Sequence, residues 1–328
     1  MQLSTIFAMT NKQQFRCAAL AGCMFGLVAC GGSSGGSDSE VVAPSTPQPT
    51  LFSLAVSDAP IDEAISVNVY FDQVELVGAA GGPITFDVRD ENGDPKMIDL
   101  LQVQGADFEP IVTDTEIPSG EYNQLRLSVT DESFIEMESG TFPLRVPSNE
   151  LKLDGFSALP GFQAAYTVEF DLRKGLVDPV GQDVILLKPR GVRLVANDDV
   201  GILSGTVDES LIIATECAVK DDAMAGNAVY VYEGVGLDFA NLGDDADAFE
   251  GDTEVRPLTI VPVNFNASEQ NYEFVAGFVP EGEYTLAFSC LALFDEPESD
   301  ENAEEGFALQ TQDEVTVVAT TTTTVVIE

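Results

Sequence analysis

Apolar and polar residues alternate along most of the chain after Leu51, with turn-forming residues roughly every ten positions. A period of two is typical of antiparallel β-strands that bury one face. In the segment AISVNVYFDQVELVG, one face carries the apolar side chains of Ile65, Val67, Val69 and Phe71. The phase then shifts by one residue, which predicts a β-bulge near Asp72 and Gln73.

A turn motif occurs twice, as IPSGEYNQLRLSV and as VPEGEYTLAFSC. Pro118 and Pro280 suit the second position of a turn, and Gly120 and Gly282 can adopt a positive φ. The tyrosine that follows each glycine can pack over its turn as the next strand begins. This turn is similar to the strand edge of many immunoglobulin-like and transthyretin-like sandwiches, so the predicted fold class is all-β with two related β-sandwich domains.

The predicted organisation has four segments. They are a signal peptide at 1–29, a lipidated cysteine with a flexible linker at 30–50, a first β-sandwich at 51–197 and an acidic second β-sandwich at 198–328. Between the sandwiches, LLKPRGVRLV ends one pattern and GILSGTV begins the next. Charge changes at the same place, because the only basic residues beyond position 200 are Lys220 and Arg256.

The N-terminal apolar run CAALAGCMFGLVA follows Lys12 and Arg16 and contains no acidic residue. It is too short to cross the roughly 30 Å hydrocarbon layer as a helix, and its basic flank is typical of a secretory signal. The sequence LVAC that ends at Cys30 resembles the bacterial lipobox, in which the cysteine is acylated and becomes the new N-terminus. Gly31 in place of aspartate favours, by resemblance to enterobacterial sorting, the outer membrane. The alternative is an ordinary signal peptide with a chance cysteine.

The linker GGSSGGSDSEVVAPSTPQPT has a composition that cannot build a core, and as a coil it reaches about 25 Å.

The chain carries 56 acidic and 14 basic residues, a net charge of −42, and no histidine. Such a surface repels nucleic acid and anionic headgroups. Without histidine, Ser-His-Asp and Cys-His catalysis and histidine metal sites are excluded. Tryptophan is also absent, so sugar stacking would depend on Tyr or Phe.

Cys217 and Cys290 remain after the signal peptide and the anchor are accounted for. Cys290 shares its parity with Phe288, so its side chain is expected to face the core of the second sandwich. Two leftover cysteines in an oxidising compartment predict a disulfide. The alternative is a pair of buried free thiols.

Several polar groups are candidate sites. Asp58, before Ala-Pro, has two interpretations. It ligates a cation or holds a partner strand, or its carboxylate caps a turn by accepting from backbone N–H groups. Asp171 and Arg173, on one face of the predicted strand AYTVEFDLRK, form either a docking patch or cross-strand ion pairs. The segment DENGDP lacks EF-hand spacing, and its Asn92-Gly93 pair favours a hairpin turn. The run DEPESDENAEE favours a solvated acidic loop.

A second acidic segment, NLGDDADAFEGDTE, also lacks EF-hand spacing, but dense carboxylates can bind Ca²⁺ at millimolar levels. The candidate ligands are Asp244, Asp245, Asp247, Glu250 and Asp252. The alternative is a solvated acidic loop. No other cofactor is indicated.

The phrases VSDAPID, VNVYFDQVEL, MIDLLQVQG, IPSGEYNQLRL, VPSNELKLDGF, YTVEFDLRKGLV and LLKPRGVRL occur in this order over residues 51–196. They resemble the bacterial family called domain of unknown function 4382, whose members are typically envelope lipoproteins. The resemblance implies no activity and no substrate. More loosely, SGTV and VPEGEYTLAF in the second domain resemble carboxypeptidase regulatory-like or starch-binding-like sandwiches.

The leading functional hypothesis is a non-catalytic outer-membrane lipoprotein that binds or scaffolds an unknown envelope protein or glycan. Its membrane contact would be the N-terminal lipid anchor, and nucleic acid is not expected as a partner. The side of the membrane that it faces is left open. The alternative is a Ca²⁺-dependent acidic adhesion or carbohydrate-binding module. Carboxylate pairs of the glycosidase type carry no weight among 56 acidic residues.

Overall fold

The structure, a computed structural model, describes residues 48–59, 64–78, 82–179, 183–244, 253–295 and 306–328. These residues belong to one compact unit, and extended strands dominate it, so the predicted all-β class is confirmed. The helices of this part of the chain are single turns, α1 (Leu172–Gly175), α2 (Glu209–Ile212) and the 3₁₀ segments Leu100–Gln102, Pro147–Asn149, Pro189–Gly191, Thr215–Val219, Phe239–Asn241 and Ala292–Phe294. Within the described residues, no helix has the length and apolar character needed to cross a bilayer.

The first sandwich is built from strands β1–β13. They are β1 (Thr50–Ala59), β2 (Ser66–Val77), β3 (Ile84–Asp87), β4 (Lys96–Asp99), β5 (Glu109–Ile117), β6 (Gly120–Val129), β7 (Phe134–Met137), β8 (Gly140–Arg145), β9 (Glu150–Ala158), β10 (Gln163–Asp171), β11 (Leu176–Val177), β12 (Ile185–Leu187) and β13 (Val192–Ala196). One sheet has the order β13-β10-β1-β5, and the other has the order β11-β12-β8-β7-β2-β6-β9, with β3 and β4 also paired to β2.

Alternation places the apolar residues of both sheets in one core. Phe52, Phe71 and Phe170 are fully buried there, and they come from β1, β2 and β10. The bulge predicted in β2 is confirmed, because the register of β2 against β6 shifts between Phe71 and Gln73. The shift lets the apolar side chains on either side of the bulge remain in the same core.

The second sandwich is built from strands β14–β21. They are β14 (Val200–Val207), β15 (Ala228–Glu233), β16 (Thr259–Pro262), β17 (Asn264–Asn266), β18 (Asn271–Pro280), β19 (Gly282–Ser289), β20 (Thr311–Val317) and β21 (Thr322–Ile327). Its sheets have the orders β17-β18-β14-β21 and β16-β15-β19-β20. The main buried cluster of this half runs from Leu203 to Ile327, separate from the one that runs from Phe52 to Leu187. The predicted domain boundaries stay a prediction.

The two sandwiches share an unusual pairing. The first strand of each one lies parallel to a late strand, β1 to β10 and β14 to β21, and antiparallel to its other neighbour. The related architecture expected from the repeated turn motif is therefore visible in the topology as well.

The two copies of the turn motif form the same hydrogen bond. The Tyr122 hydroxyl donates to the Pro118 carbonyl, and the Tyr284 hydroxyl donates to the Pro280 carbonyl, each over 2.8 Å. Gly120 has the predicted positive φ, at 148°. Gly282 does not adopt the positive φ that was predicted for it, although it begins β19 as Gly120 begins β6. Near this second turn the positive φ lies at Phe278, at 51°.

Candidate functional site: the junction between the sandwiches

The outward face of β1 and β10 is covered near the second sandwich. Ser57 and Thr167 point away from the first core, yet both are fully buried. The Ser57 hydroxyl donates to the Asp107 carbonyl over 2.7 Å, and the Thr167 hydroxyl donates to the Asn197 side chain over 2.9 Å. Contacts between β1 and β16 extend this cover into the second sandwich. We call this region the junction.

The helical turn α1 directs two basic side chains toward the second sandwich. It begins at Leu172 because the Asp171 carboxylate accepts from the Lys174 backbone N–H over 3.2 Å, which satisfies an otherwise unpaired donor of the first turn. The alternation of the sequence predicts that Asp171 and Arg173 lie on one strand face, in a docking patch or in cross-strand ion pairs. That interpretation is wrong, because the strand ends at Asp171 and the chain turns.

Arg173 and Lys174 bind main-chain carbonyl groups of the second sandwich. Their donor–acceptor distances are 3.1 and 3.0 Å from Arg173 to Ala292 and Asp295, and 3.0 and 3.1 Å from Lys174 to Pro257 and Leu258. Hydrogen bonds from charged donors are the stronger class. The basic residues of the first sandwich thus lie against the half of the chain that is poor in bases.

A buried carboxylate supports the Arg173 contact. Asp295 is only 4% exposed, and its Oδ2 accepts from the Tyr230 hydroxyl over 2.6 Å. The Arg173 guanidinium lies 3.5 Å from the same oxygen. The Tyr230 hydroxyl and the Arg173 guanidinium offset the desolvation cost of burying the Asp295 carboxylate. In the sequence, Asp295 looks like the first member of an acidic loop, and nothing distinguishes it there.

A second buried carboxylate, that of Glu169, faces Arg193 across the pair β10–β13. The two residues are register partners, and the guanidinium contacts the carboxylate. Burial raises the pKa of Glu169 to about 7, and the positive charge of Arg193 opposes this rise. Arg193 Nη2 also donates to the Phe278 carbonyl over 3.0 Å, so the same guanidinium joins both sandwiches. In the sequence, Glu169 and Arg193 are opposite charges at outward positions of two predicted strands. Nothing in the sequence showed that these two strands are neighbours in the sheet.

Asp58 lies beside this pair and is 1% exposed. Burial raises the pKa of its carboxyl group well above the ordinary value, and the nearby charges of Asp171 and Glu169 raise it further. Its Oδ2 accepts from Gln104 Nε2 over 3.5 Å, which opposes this rise, whereas Oδ1 has no hydrogen-bond partner among the described residues. Residues 60–63, where the turn after Asp58 is predicted, fall outside the described residues, so the expectation that its carboxylate caps this turn stays a prediction.

The backbones of the two sandwiches also approach closely. A Cβ atom added to Gly277 would lie 1.8 Å from the Gly105 carbonyl oxygen. A glycine is therefore required at position 277 for the halves to pack as they do. Beside it lies an open, mostly apolar groove of about 250 Å³, lined by Ala106, Phe108, Asn197, Val200, Phe278 and Thr320. The ring of Phe108 meets that of Phe278 edge-on at 6.5 Å between centroids.

The predicted disulfide is confirmed. Cys217 and Cys290 are bonded, with 5.8 Å between their Cα atoms, and both are buried. The bond links the 3₁₀ segment Thr215–Val219 to the residue that follows β19. It was deducible because strand parity pointed Cys290 inward and only one partner remained.

Of the predicted calcium ligands, Asp244 lies in the described chain and is 7% exposed. Asp245, Asp247, Glu250 and Asp252 fall outside the described residues, so this site stays a prediction. Within the described residues, no group of three or more carboxylate or cysteine side chains is placed to hold a metal ion. A thermal melt tests the prediction, and no shift at millimolar Ca²⁺ would contradict it.

The DENGDP segment forms the turn that was expected. The Asp90 carboxylate accepts from the backbone N–H groups of Asn92 and Asp94 over 2.8 and 3.0 Å, and Gly93 has φ 88°. These bonds, that from Asp94 first, lower the pKa of Asp90. Cys30 and the rest of the acidic run after Asp295, residues 296–305, fall outside the described residues.

The solved structures that match the chain share little sequence with it. A leucine-rich repeat protein from Bacteroides thetaiotaomicron is 10% identical over 84% of this chain, with a TM-score of 0.20, and the chain covers only 26% of it. The minor pilin of Streptococcus agalactiae is 10% identical over 84% of this chain and 94% of its own, with a TM-score of 0.18. The major pilin subunit of Bacillus cereus is 12% identical over 86% of this chain and 70% of its own, with a TM-score of 0.20. Scores this low carry no functional argument.

No curated protein matches the chain. The resemblance of the second sandwich to carboxypeptidase regulatory-like or starch-binding-like domains stays a prediction. The resemblance of the first sandwich is confirmed: residues 50–189 match the sequence model of the family described as a domain of unknown function (DUF4382).

Proposed function

We propose that the protein is a non-catalytic lipoprotein of the bacterial outer membrane, which binds or scaffolds another protein or glycan of the envelope. The observation that carries the proposal is the sequence LVAC at Cys30, followed directly by a Gly/Ser-rich and then Pro/Thr-rich segment. The thiol is the group that accepts a diacylglycerol, and several acyl chains on one residue give stable anchoring.

The disulfide supports export. Cys217 and Cys290 are joined in the structure, and such bonds persist in oxidising compartments outside the cytosol. A periplasmic or surface location meets this requirement.

The course of β1 supports a presenting role for the folded part. The chain enters β1 at Thr50, and the other end of the strand lies at the junction, where the Asp58 backbone N–H donates to the Val103 carbonyl over 2.9 Å. A strand of ten residues is about 30 Å long. Arg173 and Lys174 lie just after Asp171, the register partner of Ala59, so they bind the acidic second sandwich near the end of β1 that is remote from the anchor. The connector at Asn197 lies closer to the entry, level with Ser53.

Anchoring is tested with a Cys30→Ser variant expressed in the native host with an alkyne-labelled fatty acid. The wild-type chain should incorporate the label, fractionate with the outer membrane and begin at residue 30 by mass spectrometry. The Cys30→Ser variant should lose the label and the membrane association. Cys23→Ser is the matched control, since Cys23 would leave with the signal peptide. An unacylated, intact N-terminus on the native protein would overturn the proposal.

The binding role is tested by crosslinking the wild-type protein in the native envelope. The same envelope protein or glycan should be recovered in repeated experiments and not with a control lipoprotein of equal abundance. Recovery of no specific component would overturn the binding half of the proposal and leave the anchor in place.

A further inference from the structure

Three large apolar side chains are exposed together at the start of the first sandwich. Leu51, Leu159 and Phe162 are 43%, 56% and 66% exposed, and we call them the apolar tip. Two of them flank the turn Leu159-Pro160-Gly161-Phe162 between β9 and β10. Gly161 has φ 76°, and the Phe162 N–H donates to the Leu159 carbonyl over 3.2 Å, which is the geometry of a type II turn.

The tip is fixed to the point where the described chain begins. The Thr50 hydroxyl donates to the Leu159 carbonyl over 2.7 Å, and the Leu51 N–H donates to the Phe162 carbonyl over 3.1 Å. The Gly161 N–H donates to the Pro49 carbonyl, also over 3.1 Å. These bonds hold the tip beside the residues through which any N-terminal anchor must be connected.

The position of Cys30 brings a bilayer within reach of the tip. Residues 31–47 separate this cysteine from Gln48, and a segment of that length spans at most about 60 Å when fully extended. An anchored chain meets the same bilayer again at a high effective concentration, so a small apolar contact is sufficient for a second attachment. A contact made by Leu and Phe side chains is suited to the boundary between headgroups and acyl chains.

The charges around the tip select the kind of lipid. Glu116 is the register partner of Leu51, and Glu121 lies at the adjacent end of β6; both are exposed. Carboxylates here would be repelled by anionic headgroups, and the chain as a whole carries a charge of −42. A zwitterionic surface lacks this repulsion.

We propose that the apolar tip inserts into the interface of a zwitterionic bilayer and forms a second membrane contact beside the lipid anchor. The contact rests on the proposed function, because an acylated Cys30 supplies the proximity. It orients the first sandwich so that the end of β1 at Ala59, where α1 binds the second sandwich, is directed away from the membrane.

The absence of tryptophan from the chain allows a direct test. A Phe162→Trp variant is prepared as the mature, acylated protein and reconstituted into phosphatidylcholine vesicles. The matched control is Phe265→Trp, because Phe265 is 43% exposed on β17 of the second sandwich. The indole at position 162 should shift to shorter emission wavelength when vesicles are present and be quenched at least about twofold by bromine-labelled acyl chains, whereas the indole at position 265 should do neither. Vesicles with anionic lipid should give a smaller shift.

Flotation of the same samples separates the possible failures. Protein that floats while the indole at position 162 behaves like the control overturns the tip contact and leaves the anchor standing. Protein that is not acylated and does not float overturns both. A blue shift without vesicles shows that the tip is covered by another part of the chain or by a second copy, which also overturns the proposal. If Phe162→Trp fails to fold, a Leu159→Cys variant with an environment-sensitive dye gives the same readout.

Discussion

Arg193 contacts the buried Glu169 carboxylate of its own sandwich while it donates to the Phe278 carbonyl of the other. One guanidinium thus connects a group that titrates near neutral pH to the packing of the two halves. Arg173 and Lys174 likewise donate to carbonyl groups of the second sandwich. Stability and orientation of the halves are therefore coupled at this site.

The first prediction concerns pH. The pKa of Glu169 is about 7 in the folded protein against 4.5 ordinarily, so the folded state holds the proton more tightly. The stabilisation is fully present below about pH 4.5 and is lost as pH rises to about 7, by roughly 3 kcal/mol. A Glu169→Gln variant should flatten this part of the dependence, measured by urea unfolding at several pH values. The raised pKa of Asp58 acts in the same direction and should leave a residual slope.

The exposed Glu91 provides the control for that experiment. A Glu91→Gln variant should keep the wild-type dependence on pH. If the slope for Glu169→Gln equals that of the wild type, Glu169 does not titrate in this range.

The second prediction concerns the repeated turn. Tyr122→Phe and Tyr284→Phe each remove one hydroxyl that donates to a proline carbonyl. Each variant should lose about 1 kcal/mol in the free energy of unfolding, the usual net contribution of such a bond. Unchanged denaturant midpoints for both would show that the bonds do not stabilise the turns.

The third prediction concerns the disulfide. The bonded residues are 73 positions apart, and the chain-entropy treatment assigns about 4 kcal/mol to a loop of this length. A Cys217→Ser/Cys290→Ser variant should be less stable by about that amount in urea. Reductant should lower the wild-type midpoint and leave the double variant unaffected; an equal response of both proteins would contradict the assignment.

The fourth prediction concerns the fit between the halves. A Gly277→Ala variant would place its Cβ 1.8 Å from the Gly105 carbonyl oxygen, so the junction must open. We expect a larger radius of gyration by small-angle scattering and faster proteolysis in the connector at 197–199. Gly282→Ala is the matched control, because the nearest atom to its Cβ would be 3.4 Å away. A Gly277→Ala protein that matches the wild type in both measurements would show that the backbone approach is not needed.

Features that depend on neighbouring residues were predictable. The bulge at Asp72 and Gln73 follows from a phase change within one strand, and the tyrosine turns follow from a short motif. The disulfide follows from the parity of Cys290 and a count of cysteines. Each requires only local geometry and one pairing.

Features that depend on long-range packing were not predictable. Residues 171–173 continue the alternation of β10, and only the capping carboxylate of Asp171 marked a helical turn. The partners of Arg173 and Lys174 lie more than 80 positions away in the sequence. No local pattern in the sequence relates such distant segments. The contacts of the junction are therefore seen only in the folded structure.

The position of β1 has a mechanical consequence. This strand lies inside its sheet, parallel to β10 on one side and antiparallel to β5 on the other. Tension applied to the chain before Thr50 acts along the axis of β1, so the hydrogen bonds on both sides must be sheared at once. Shearing these bonds together needs a larger force than peeling an edge strand, which breaks one bond at a time. The first sandwich should therefore withstand pulling forces applied at Thr50, where the chain enters it.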